Sequence, residues 1–93
     1  SICSGIEEGE IISSVLLYPN PSNEKFEVNV QLNSASDLFI EIIDVHGRMV
    51  FNDSYVNIKD VKKEFYTVDF GKGIYLVKIS TGSEFKWEKL IIN

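Results

Sequence analysis

The chain has 93 residues, 44% of them hydrophobic, and its 14 acidic residues against 9 basic ones leave a net charge of −5. That length suits one small domain with one core, since a chain of this size buries on the order of 60–65% of its unfolded surface. The acidic balance gives no counterion-release drive toward DNA or RNA, and no apolar run approaches the roughly 20 residues of a membrane-spanning helix.

Residues 1–14 carry Gly5, Gly9, Glu7, Glu8 and Glu10 among scattered isoleucines and read as a linker, with a first short strand beginning near Ile11. The folded domain is expected over 15–93. Cys3, the single cysteine, falls in the linker and allows no internal disulfide. A start at Ser1 without an initiator Met or a signal-peptide pattern reads as a piece of a longer protein.

From Val15 the hydrophobic period becomes two. Phe26, Val28, Val30 and Leu32 alternate with Glu27, Asn29, Gln31 and Asn33, as a strand with one wet face requires. After a Ser/Ala/Asp loop, Leu38, Ile40 and Ile42 begin a second such run, and Val45-His46-Gly47-Arg48 turns it into Met49, Val50 and Phe51. Asn57 to Lys63 offers only Ile58 and Val61 as an apolar helical face, so a short turn is expected there. Val61 to Val68 is β-branched and aromatic, with Phe65 rather than Tyr66 expected to point inward. The last pair, Ile74 to Ser80 and Phe85 to Ile92, is joined through Thr81-Gly82. Because a β-branched Thr resists positive φ, a type I turn with Gly82 in the left-handed bulge position is expected. About seven short strands at spacings of roughly 8–12 residues, with no helical period, predict an all-β, immunoglobulin-like sandwich of antiparallel strands.

The turn motifs have direct physical readings. Pro19 and Pro21 lack N–H donors and fix φ, so Pro19-Asn20-Pro21 stops the first strand. Asp44 can accept turn N–H bonds while Gly47 takes a positive φ and Arg48 lies close enough to pair. Gly73 permits close backbone approach where the next strand begins, and Tyr75 is expected as a ring at the core edge with its hydroxyl at the rim.

Taken in series, Tyr18-Pro19-Asn20-Pro21, Phe26, Asp44 with Gly47 and Arg48, Gly73-Ile74-Tyr75 with Val77 and Ile79, and Lys89-Leu90-Ile91-Ile92 resemble one pattern. It is similar to the C-terminal sorting domain of the type IX (Por) secretion system of Bacteroidetes, from about Val15 to the last residue. The resemblance implies an address rather than a catalyst: recognition by outer-membrane translocon components, then removal from its upstream carrier domain by a sortase-like peptidase. The carrier would reach the cell surface or be released. Since a protease needs extended substrate, cleavage is expected within Glu7, Glu8, Gly9, Glu10, Ile11, Ile12, Ser13 and Ser14. The recognition residues expected are Gly73, Tyr75, Lys89, Leu90, Ile91 and Ile92. A terminal edge strand exposes main-chain groups that a receptor can pair with, Lys89 acting as gatekeeper against self-pairing, though edge pairing into a homodimer stays open.

Catalysis is disfavoured. The chain has one His, one Cys, no nucleophile elbow, no phosphate loop and no metal-spaced histidine pair, and His46 belongs to a turn. No cofactor or metal is expected, because Asp37, Asp44, Asp53, Asp60 and Asp69 do not match a calcium-loop spacing. The alternative from another class is an accessory carbohydrate- or protein-binding sandwich that uses Trp87, Tyr66 and Tyr55 as stacking platforms.

Overall fold

The computed structural model describes residues 11–93; Cys3 and the expected cleavage positions Glu7 to Glu10 lie outside them. Five antiparallel strands form one sheet: β1 (Ile12–Tyr18), β2 (Lys25–Asp44), β3 (Met49–Tyr66), β4 (Gly73–Ser80) and β5 (Phe85–Ile92), with a short 3-10 turn at Thr67–Asp69.

The expected count of about seven strands is corrected to five because two pairs of runs merge. The Ser/Ala/Asp stretch after Leu32 was expected to be a loop, and Asn57 to Lys63 a turn, yet β2 and β3 pass straight through them. Neither segment contains Gly or Pro. With no residue to end the ladder, the two strands keep pairing and absorb the mismatch as register shifts between Gln31 and Leu38. Asn57 takes the irregular position, with φ of 53°, and its N–H donates to Asp37 Oδ1 at 3.1 Å. Such irregularities bend a strand. A straight 20-residue strand would run roughly 60 Å or more at about 3.3 Å per residue, longer than the molecule's 46 Å greatest extent.

The bend divides the work of β2. Its first half pairs with β1 on one side (Val30 opposite Val15) and with the end of β3 on the other (Phe26 opposite Phe65). In its second half β4 replaces β1 (Ile42 opposite Val77), the start of β3 continues on the other side, and β5 extends the sheet beyond β4. The sheet curls until Ser22, just after β1, makes a parallel bridge with Ile92 of β5.

One core fills the curl. Phe26, Val28, Val30 and Leu32 from β2, Leu38, Ile40 and Ile42 beyond the bend, Val77 and Ile79 from β4, and Leu90 and Ile92 from β5 are buried. Phe65 is buried and Tyr66 exposed, as the sequence reading expects. At one end an aromatic cluster forms: Phe26 stacks on Phe65 at 4.9 Å between centroids, and Phe70 meets Phe26, Phe65 and Tyr75 edge-on.

Candidate recognition site

The hairpin of β4 and β5 is built by alternation. Tyr75, Val77 and Ile79 face the core with Leu90 and Ile92, while Ile74, Leu76, Phe85 and Trp87 are exposed. Its connection is not the type I turn with left-handed Gly82: Gly82 keeps a negative-side conformation. Thr81 organises the loop instead, its Oγ1 accepting from the N–H groups of Ser83 (3.2 Å) and Glu84 (3.1 Å) while its own N–H donates to Glu84 O (2.8 Å). The Glu84 carboxylate then accepts from the N–H groups of Ile11 (2.9 Å) and Ile12 (2.7 Å), tying the start of the domain to the start of β5.

At the other end of β5 the proline turn closes on the strand edge. Asn20 Nδ2 donates to Lys89 O at 2.7 Å, and Asn20 Oδ1 accepts from Ile91 N–H at 3.0 Å. Ser22, fully buried, continues the pairing: its N–H donates to Ile91 O and its carbonyl accepts from Asn93 N–H, both at 2.8 Å. The Ser22 hydroxyl bonds back to Pro19 O. The edge expected to stand open to a receptor is therefore capped over its last residues. Pro19, Asn20 and Pro21 do more than stop β1: an amide side chain between two prolines supplies the donor and the acceptor that the edge of a sixth strand would.

The other motifs meet at the same end. The Asp44 carboxylate accepts from the N–H of His46 (2.9 Å), the N–H of Arg48 (3.0 Å) and Arg48 Nε (3.0 Å), and Gly47 has φ of 83°, a region open to glycine. The Arg48 N–H is the leading cause that holds the Asp44 carboxyl below its ordinary pKa, with His46 N–H and the Arg48 guanidinium adding to it against partial desolvation. Asp44 pairs across the sheet with Tyr75. Gly73 begins β4 at φ of 146°, and Tyr75 sends its hydroxyl to the carbonyls of Phe70 and Gly71. An open groove of about 370 Å³ runs between the Asp44–Gly47 turn and the hairpin, lined by Ile43, Val45, Ile74, Leu76 and Lys89.

These motifs lie far apart in the chain, yet they form one end of one molecule. The model for the secretion system C-terminal sorting domain matches residues 16–93. The chain belongs to that family. As a type IX sorting domain it is a secretion signal. Among solved structures, dimeric latent PorU from Porphyromonas gingivalis is similar with a TM-score of 0.66 over 84% of this chain at 22% identity. The chain spans 9% of that protein's chain, so the likeness is one of fold. No curated protein matches.

The structure sorts the expected recognition residues by face. Gly73 and Lys89 are exposed and Ile91 is half-buried, whereas Tyr75, Leu90 and Ile92 belong to the core. Of the expected cleavage positions, Ile12, Ser13 and Ser14 are part of β1, Ile12 is buried, and the Ile11 N–H is held by Glu84. The stacking candidates do not form one platform. Tyr55 packs against the core, Tyr66 ends β3, and Trp87 lies on the outer face of β5 with Lys78 Nζ 5.5 Å from its ring. Sequence reasoning missed Lys78, which also covers Phe85 at 5.3 Å, and Glu84; only the register reveals both.

Proposed function

We propose that the type IX translocon components of the outer membrane read this domain at its motif-rich end. The convergence of the Pro19–Ser22 cap, the Asp44–Arg48 turn and the Gly73–Tyr75 strand start around the end of β5 carries that reading. Residues with accessible atoms, Gly73, Lys89 and Ile91, make contact beside the groove. Tyr75, Leu90 and Ile92 hold the surface in shape from below, and the curled sheet acts as an immunoglobulin-like sandwich that keeps this end rigid. The domain is an address and carries no catalysis of its own.

A sortase-like peptidase then separates the domain from its upstream carrier, which ends at the cell surface or in the medium. Proteolysis needs a strand-free segment, and β1 begins at Ile12. That favours a cut among Glu7, Glu8, Gly9 and Glu10, upstream of the amides that Glu84 holds. Residues 1–93 fused behind a periplasmic reporter, in a host with the machinery, should carry the reporter outside the cell. A reporter that stays periplasmic refutes the proposal, and N-terminal sequencing of the released domain checks the cut, with a new terminus inside β1 counting against it.

A further inference from the structure

We propose that Glu84 is a positioning residue for the separation of this domain from its carrier: its carboxylate clamps the chain at Ile11 and Ile12 and so fixes the downstream limit of the cut. The inference rests on the cleavage proposed above and adds the residue that sets its boundary. Glu84 Oε2 accepts from the Ile11 N–H at 2.9 Å, and Oε1 accepts from the Ile12 N–H at 2.7 Å. The Ile11 carbonyl is taken as well, by the N–H of Asn33 at 2.7 Å. A peptidase holds its substrate extended through hydrogen bonds to main-chain groups. Its grip must therefore end where both groups of one residue are already engaged.

Pairing with β2 does not make this boundary by itself. In a regular strand successive N–H groups point to opposite sides, yet here two in a row reach one carboxylate, beside the register shift between Ile12 and Ser14. The ladder with β2 could take at most one of them. The acceptor comes from 73 positions away and is itself held in place: Thr81 Oγ1 accepts from the N–H groups of Ser83 and Glu84, and the Thr81 N–H donates to Glu84 O. Bonds from amides to a carboxylate are about twice as strong as neutral ones. The clamp exists only once the β4–β5 hairpin has packed beside β1, so the position of the cut reports a folded hairpin. A chain with an unfolded hairpin would offer the peptidase β1 itself. The Asn20 cap ties the opposite end of β1 to β5, through Lys89 and Ile91, and serves as the control.

The test compares the wild-type chain with Glu84→Ala, Glu84→Gln and Asn20→Ala, with thermal melts to show that each variant folds. In one arm the 93-residue chain is treated with thermolysin, which cleaves ahead of apolar residues, and the trimmed N-terminus is read by mass spectrometry. The wild-type and Asn20→Ala fragments should begin upstream of Ile11. Cutting ahead of Ile12 should quicken about tenfold or more in Glu84→Ala, and by less in Glu84→Gln, which keeps one acceptor. In the other arm the same chains follow the periplasmic reporter in a host with the machinery, and the terminus of the released domain should move to Ile12 or beyond in Glu84→Ala and stay put in Asn20→Ala. An unchanged thermolysin boundary in Glu84→Ala, or the same shift in Asn20→Ala, would overturn the clamp. A thermolysin shift with an unmoved terminus in the host would overturn its role in the cut and leave the sorting function standing. A wild-type reporter that is never exported refutes the sorting reading instead, and the thermolysin boundary still decides the clamp.

Discussion

The two faces of the β4–β5 hairpin share one backbone and differ in almost everything else. On the inner face Tyr75, Val77, Ile79, Leu90 and Ile92 are closed off from water, and every one of them touches the single core. On the outer face Ile74, Leu76, Phe85 and Trp87 stay 43–60% exposed, interleaved with Lys78 and Lys89. Four lysines stand against two glutamates in residues 72–93, so this stretch is positive in a chain whose net charge is −5. The comparison teaches that neighbours in one motif answer to different pressures. Leu90 and Ile92 fill the core, whereas Lys89 is exposed and Ile91 half-buried.

The sharpest way to break that division is at Leu90. Leu90→Ala should cost about 2–5 kcal/mol in urea unfolding, the range for a buried leucine whose cavity cannot fully collapse. A cost below about 1 kcal/mol would put Leu90 on the surface side of the comparison. Tyr75→Phe comes next: it strands the Phe70 and Gly71 carbonyls that the hydroxyl now satisfies, with an expected loss of about 1–3 kcal/mol. Asn20→Ala removes one donor and one acceptor from an exposed cap and should cost about 1 kcal/mol. Its more telling readout is amide exchange, which should quicken at Ile91 while Val77 in the strand interior stays protected. The outer face should give the smallest stability changes: Leu76→Glu and Lys89→Glu are expected to move stability by no more than about 0.5 kcal/mol, while reporter export falls. Export that survives both would return recognition to some other surface.

How legible this was in the sequence depended on range. Period-two runs announced both halves of β2 and the hairpin, because alternation is a local property of residues such as Phe26 to Leu32, whereas β1 was legible only as a short strand beginning near Ile11. The Asp44–Arg48 turn was equally local: its carboxylate, glycine and guanidinium lie within five consecutive positions and meet as expected. The continuity of β2 and β3 was harder. Ser34, Ser36 and Asp37 have turn-forming side chains, and only pairing with Asn57 and Ile58 across the ladder shows that the strand bends instead of ending. Its one local trace is the lack of Gly and Pro. Least legible was the cap on β5, where Asn20 meets residues about seventy positions away. A proline turn reads as a stop signal from sequence, and nothing local says that its central side chain will complete a distant strand edge.

The Asp44 turn gives the finest test, because it borders the outer-face groove and its carboxylate is held by three hydrogen bonds. Its carboxyl titrates below the ordinary value, led by the Arg48 N–H, so the folded state prefers the ionised form more strongly than the unfolded chain does. A depressed folded pKa contributes stability that is fully present above the unfolded carboxylate value of about 3.9. It is lost as pH falls through the lowered folded value. The melting-temperature gap between the wild-type chain and Asp44→Asn should therefore be flat from pH 7 to about pH 5 and shrink below about pH 4. Because Arg48 is largely exposed, the salt-bridge share of that gap should also narrow in high salt, leaving the part due to the backbone N–H bonds. A gap that widens on acidification would mean that Asp44 is stabilised in its protonated form, contrary to the three donors aimed at it.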